Sequence, residues 1–91
     1  MNPNIVYVGS KPVMTYVMAI ITAMNDQDEV VVKARGRSIS TAVDAAEVTR
    51  NRYLKELQST VEIGTEEMDQ EDGGTRNVST IAITLRKSPE A

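Results

Sequence analysis

Twice before residue 60 the chain passes from a short apolar run, through a turn holding glycine and cations, into an apolar pattern of helical period. In the first instance Ile5-Val6-Tyr7-Val8 leads through Gly9-Ser10-Lys11-Pro12 to Val13, Tyr16, Val17, Ile20, Ile21 and Met24. In the second, Val30-Val31-Val32 leads through Lys33-Ala34-Arg35-Gly36-Arg37-Ser38 to Ile39, Ala42, Val43, Ala46 and Tyr53. β-Branched runs favour extended backbone, and apolar residues three or four apart mark one side of a helix. The pattern predicts strands over 4–8 and 29–35, and helices over 12–25 and from 39 to about 55. Successive strand-helix-strand units close through right-handed crossovers, which place both helices on the same face of the sheet.

The last third reads as a hairpin. Val61-Glu62-Ile63 alternates, Asp72-Gly73-Gly74 is a turn signal, and Ser79, Ile81, Ile83 and Leu85 interleave with Thr80, Ala82 and Thr84 as in a half-buried strand. The expected fold class is therefore α/β (α+β): a two-layer βαβαββ sandwich with a four-stranded mixed sheet and two helices on one face. One domain spans 1–91, with 88–91 expected to fray.

The two turns carry the chemistry. If their strands are parallel neighbours, both turns converge on one edge, at the carboxyl ends of the strands. Lys11, Lys33, Arg35 and Arg37 then form a phosphate-binding edge, and the alternative is a solvated surface. Ser10 or Lys11 is expected to cap the first helix with Pro12 in its first turn, and Ser38 to cap the second. Gly36 is a position without Cβ where backbone and ligand approach closely.

Other patterns are weaker. Asp69-Gln70-Glu71-Asp72-Gly73 lacks the spacing and closing glutamate of a calcium loop, so no metal site is expected. Asn77-Val78-Ser79 matches a glycosylation sequon at the start of an expected strand, in a chain with no secretory signal. Asp44 and Glu47 are expected to pair with Arg50 and Arg52 across a helical turn, and the same two arginines are candidate phosphate contacts. Cysteine and histidine are both absent, which removes thiolate metal sites, disulfides and the usual general base. No cofactor and no catalytic residue are expected. No segment has the length of a membrane-spanning helix, so the expectation is an intracellular protein with no membrane partner. Without Phe or Trp, the core must be aliphatic, and Met14 and Met18, off the main helical stripe, are candidates for coverage by a second subunit.

Taken together, VYVGSKPVMTYV, VVVKARGRSISTAVDAAEVTRNRYL and NVSTIAITLRK resemble the Alba family of archaeal chromatin proteins, from Ile5 to Lys87. The resemblance implies a homodimer that binds double-stranded DNA, and often RNA, with little sequence preference, in the cytoplasm on the chromosome. It places Ser10, Lys11, Lys33, Arg35, Arg37 and Arg76 at the DNA, makes residues 66–77 an arm aimed at the minor groove, and makes Tyr53 a contact between dimers. It leaves an RNA chaperone or a ribonuclease P-type subunit as the alternative. Ser10 stands where the family commonly has its acetylated lysine, so acetylation control is not expected there.

Charge sits uneasily with that picture. Net charge is −3; residues 1–60 sum to +1 and 61–91 to −4. Glu62, Glu66, Glu67, Asp69, Glu71 and Asp72 fall within the eleven positions 62–72, running into the arm, with no intervening cation. Because phosphate contacts drive affinity, this block is expected to weaken DNA binding and make it salt-sensitive.

Overall fold

The computed structural model describes residues 4–87, so the tail over 88–91 lies outside the described residues. Its elements run β1 (Ile5–Tyr7), α1 (Val13–Asp26), β2 (Glu29–Arg35), α2 (Ile39–Val48), β3 (Gln58–Asp69) and β4 (Thr75–Arg86). The sheet order is β1-β2-β4-β3, with β1 parallel to β2 and the remaining pairs antiparallel. This is the expected βαβαββ arrangement with a mixed four-stranded sheet.

Alternation along the strands sorts the two faces of the sheet. Val30, Val32 and Ala34 of β2 pair with Leu85, Ile83 and Ile81 of β4, and all six are buried beneath the helices. Tyr16, Val17, Ile20 and Met24 of α1 and Ala42, Ala45 and Ala46 of α2 close the core from above. Full burial of a Val, Ile or Leu side chain contributes about 1.5–3 kcal/mol, so this aliphatic layer is the main source of stability. The alanines on α2 let that helix sit close to the sheet.

The second helix differs from expectation. Its α-helical part ends at Val48, and Thr49–Tyr53 widens into a π turn, where the Leu54 amide reaches back to the Thr49 carbonyl at 2.7 Å. Thr49 is fully buried, and its hydroxyl donates to the Ala45 carbonyl at 2.8 Å, satisfying a polar group that would otherwise be costly there. Val43, one of the residues in the apolar pattern of helical period, is exposed because the buried stripe of α2 runs through Ala42, Ala45 and Ala46.

The hairpin is longer and more regular than its sequence suggests. Register runs unbroken from Gln58↔Arg86 to Asp69↔Thr75, so the acidic stretch up to Asp69 is a paired strand. Gly73 takes φ +91°, and the Asp72 carboxylate accepts the Gly74 amide at 3.0 Å. β2 ends opposite Thr80, so the β3–β4 tip projects beyond it as an arm, and the molecule measures 51 × 24 × 23 Å.

Candidate nucleic-acid interface

Parallel pairing of β1 with β2 brings both basic corners to the same edge. Tyr7 is in register with Lys33, and the Val8 amide donates to the Lys33 carbonyl at 2.8 Å. A direct link then ties the two turns together: the Ser38 hydroxyl donates to the Gly9 carbonyl at 3.2 Å. The arm leaves the sheet from this edge as well, because β4 runs antiparallel to β2 and continues past its carboxyl end.

The capping expected at these corners is corrected by the structure. Neither Ser10 nor Lys11 caps α1; Pro12 is itself the N-cap, with φ −60° and ψ 151°, and no side chain bonds to the first turn. The corner is held instead by Tyr16, a buried residue of α1 whose Oη accepts the Gly9 amide at 2.9 Å and the Lys11 amide at 3.0 Å. Ser38 does not cap α2 by its side chain either, because its backbone is already helical, at φ −85° and ψ −4°, and its hydroxyl is engaged by Gly9. A 3₁₀ turn at Gly36–Ser38 intervenes between β2 and α2. Gly36 adopts φ +59°, the left-handed region where a side chain is strained, so here the glycine is needed for the backbone turn itself.

Lys11, Lys33, Arg35, Arg37 and Arg76 are all exposed at or beside this edge, as is Ser10. Arg76 joins the second corner through the arm. Together Arg35, Arg37 and Arg76, with Ser38, Asn77 and Ser79, line a cleft of about 620 Å³ between corner and hairpin, and no acid lines it. Such a cleft fits a phosphate, which guanidinium groups bind through paired charge-assisted hydrogen bonds. Arg35 is also held by Glu66, at 2.5 Å from Nη1 to Oε1.

Two expected contacts are placed elsewhere. Arg50 turns inward: its Nη1 pairs with Glu47 at 2.9 Å, the anticipated ion pair across one helical turn, and its Nε donates to the Leu57 carbonyl at 3.3 Å. It braces the exit from α2. Arg52 is exposed on the π turn beside Tyr53, which is half-exposed and lies beyond the α-helical part of α2. Among the described residues there is no cluster that would hold a metal ion, and no helix is long and apolar enough to cross a membrane.

Three features escape sequence reasoning. Periodicity puts Tyr16 in the core, and nothing local announces that its hydroxyl holds a turn. Tyr7, 72% exposed, shares the helix-free face of the sheet with Lys33. On the opposite face Val61 and Ile63 of β3 lie in register with buried Ile83 and Ile81, yet both are exposed because the helices do not reach that edge strand.

Known proteins share this architecture along almost the whole chain. The Alba family model matches residues 4–67. The DNA/RNA-binding protein Alba 1 of Archaeoglobus fulgidus is 51% identical over 89 residues, covering 96% of this chain and 99% of its own length. The DNA/RNA-binding protein Alba of Methanocella arvoryzae is 49% identical over 86 residues, covering 92% and 90% respectively. Among solved structures, Alba from Thermoplasma volcanium superimposes with a TM-score of 0.87 at 42% identity, covering 92% of this chain and 100% of that one.

Proposed function

The chain belongs to the Alba family, and from that membership and the shared basic edge we propose that it is a homodimeric, largely sequence-independent binder of double-stranded DNA that coats or bridges duplexes in the cytoplasm, on the chromosome. The observation that carries the reading is the convergence of the two corners, tied by the Ser38 to Gly9 hydrogen bond at the edge from which the arm projects. Lys11, Lys33, Arg35 and Arg37 contact phosphates there, Arg76 adds a contact from the arm, and Ser10 lines the same path. Arg52 is an outlying contact, and Arg50 is not one. Contacts of this kind position a protein on a duplex without reading its bases. No bond is made or broken, so the protein acts by binding alone.

Dimerisation is supported by the uncovered apolar groups on the helix side of the sheet. Val61, Ile63, Met14 and Met18 are all exposed, and a chain of this size gains much of its stability by covering such surface. Tyr53 is available for contact between dimers. The acidic hairpin lowers affinity and makes it strongly salt-dependent, because five carboxylates, Glu66, Glu67, Asp69, Glu71 and Asp72, lie along the arm that approaches the duplex, with Glu62 just behind it.

RNA is the second reading. The relatives' names include it, and exposed Tyr7 beside Lys33 on the helix-free face offers one stacking surface next to a cation. Competition among duplex DNA, duplex RNA and single strands at two salt concentrations separates the two. For duplex DNA, replacing Arg35 and Arg37 together with Ala weakens binding to unrelated sequences alike and lowers the slope of log affinity against log salt by about 0.9 for each phosphate no longer neutralised. Wild-type affinity and slope in that folded variant would refute the proposal.

A further inference from the structure

Arg35 differs from the other corner cations. Among the described residues it alone of Lys11, Lys33, Arg35, Arg37 and Arg76 is in an ion pair, and its partner lies on the arm, 31 residues away in sequence. Its Nη1 is 2.5 Å from Glu66 Oε1 and 3.4 Å from Met68 Sδ. The register explains the meeting. Arg35 is in line with Thr80 and Gly64, and Glu66 and Met68 follow on the same, helix-free face of β3. Gly64 has no side chain to stand between them. A carboxylate offers a guanidinium the same kind of anionic oxygens as a phosphodiester, and this carboxylate, though outside the lining of the cleft, holds one of the three arginines, Arg35, Arg37 and Arg76, that line it.

We propose that the Arg35–Arg37–Arg76 cleft is a discrete site for one backbone phosphate, and that Glu66 is a built-in stand-in for that phosphate at Arg35, displaced when nucleic acid binds. The proposal rests on the nucleic-acid reading above and assigns one residue of the acidic arm a role distinct from general repulsion. Both partners are about half exposed, with side-chain exposures of 56% and 51%, so the pair is weak and exchangeable. A phosphate that also engages Arg37 and Arg76 outcompetes a single carboxylate. Bound state and free state then differ in what neutralises Arg35. The exchange sets how low the salt must be before the second corner engages.

Glu67 supplies the control. It is the next residue on β3, so its side chain points to the opposite face, in register with Asn77 and away from Arg35. Glu67→Gln removes the same charge at nearly the same place on the arm without touching the ion pair. The experiment measures binding of a short mixed-sequence DNA duplex by fluorescence anisotropy, from about 50 to about 200 mM salt. The proteins are wild type, Glu66→Gln, Glu67→Gln, Arg35→Ala and the double variants Glu66→Gln/Arg35→Ala and Glu66→Gln/Arg76→Ala, with circular dichroism confirming that each is folded.

Glu66→Gln is expected to bind about two- to fivefold more tightly per corner than Glu67→Gln, the range for release of an exposed ion pair. That excess disappears when Arg35 is Ala. In the Glu66→Gln background, Arg76→Ala reverses part of the gain, because it removes one wall of the cleft. Equal gains from the two glutamines, or an excess that persists without Arg35, would overturn the stand-in role and leave only a general field effect. In that event sensitivity to Arg35→Ala alone keeps the functional reading intact. No binding by wild type at the lowest salt would instead bring down that reading, and this proposal with it.

Discussion

Removing one oxygen atom tests how the first basic corner is held. Tyr16→Phe keeps the buried ring but deletes Oη, which accepts both the Gly9 amide at 2.9 Å and the Lys11 amide at 3.0 Å. A hydrogen bond contributes about 0.5–1.5 kcal/mol net, so two such bonds are together worth about 1–3 kcal/mol. Both amides are only partly buried and recover some hydration, which places the expected loss at about 1–2 kcal/mol. For a domain of this size each kcal/mol lowers Tm by about 4–8 °C, giving a fall of roughly 4–16 °C at fixed protein concentration. The same change acts on binding. A corner no longer held in place must be ordered when it meets phosphate, at about 0.5–1.5 kcal/mol, or about two- to tenfold in affinity. Thermal unfolding followed by circular dichroism reads the first quantity, duplex titration the second, and amide hydrogen exchange at Gly9 and Lys11 reports the freed groups directly. A Tm within about 1 °C of wild type, with Gly9 and Lys11 exchanging no faster, would show that Oη does not hold the turn.

Other outcomes follow from the same geometry. Ser10→Lys steepens the salt slope by about 0.9 with Tm unchanged, because Ser10 makes no cap that a lysine would remove; titrations at several salt concentrations and a melting curve check the two halves. Replacing Glu67, Asp69 and Glu71 with Gln tightens duplex binding at low salt, and the gain shrinks as salt screens the arm. Gly36→Ala lowers stability by about 1–2 kcal/mol, read by urea unfolding, because φ +59° is strained for alanine, whereas the added Cβ would meet only Val78 at an ordinary 3.5 Å.

Periodicity makes the element order legible because it is a local property. β2 begins and ends where its β-branched run and flanking charges place it, at Glu29 and Arg35, and the core of α1 follows its stripe. Turn chemistry is legible at Gly73 and Gly36, whose positive φ values leave few residue types to choose from. Capping is not legible at either corner. Serine is a good cap on average, but Pro12 occupies the N-cap of α1, and Ser38 has a better partner on another element. The length of α2 escapes for a similar reason: helical spacing through Tyr53 cannot distinguish an α turn from a π turn, and burial of Thr49 accompanies the change.

By itself the sequence determined the kinds of element, their order and the sign of charge at each turn, since these depend on neighbours within a few residues. It also carried the family resemblance, through motifs that need no coordinates. Only the tertiary structure decided which of those charges meet. Parallel pairing of β1 with β2 joined the two corners, the register of β3 on β4 carried Glu66 to Arg35 across 31 residues, and an inward turn set Arg50 against Glu47 and the Leu57 carbonyl. The physical reason is that spacing along a chain specifies backbone conformation, whereas contact between distant side chains depends on sheet register, which shifts a residue to the opposite face with every single step.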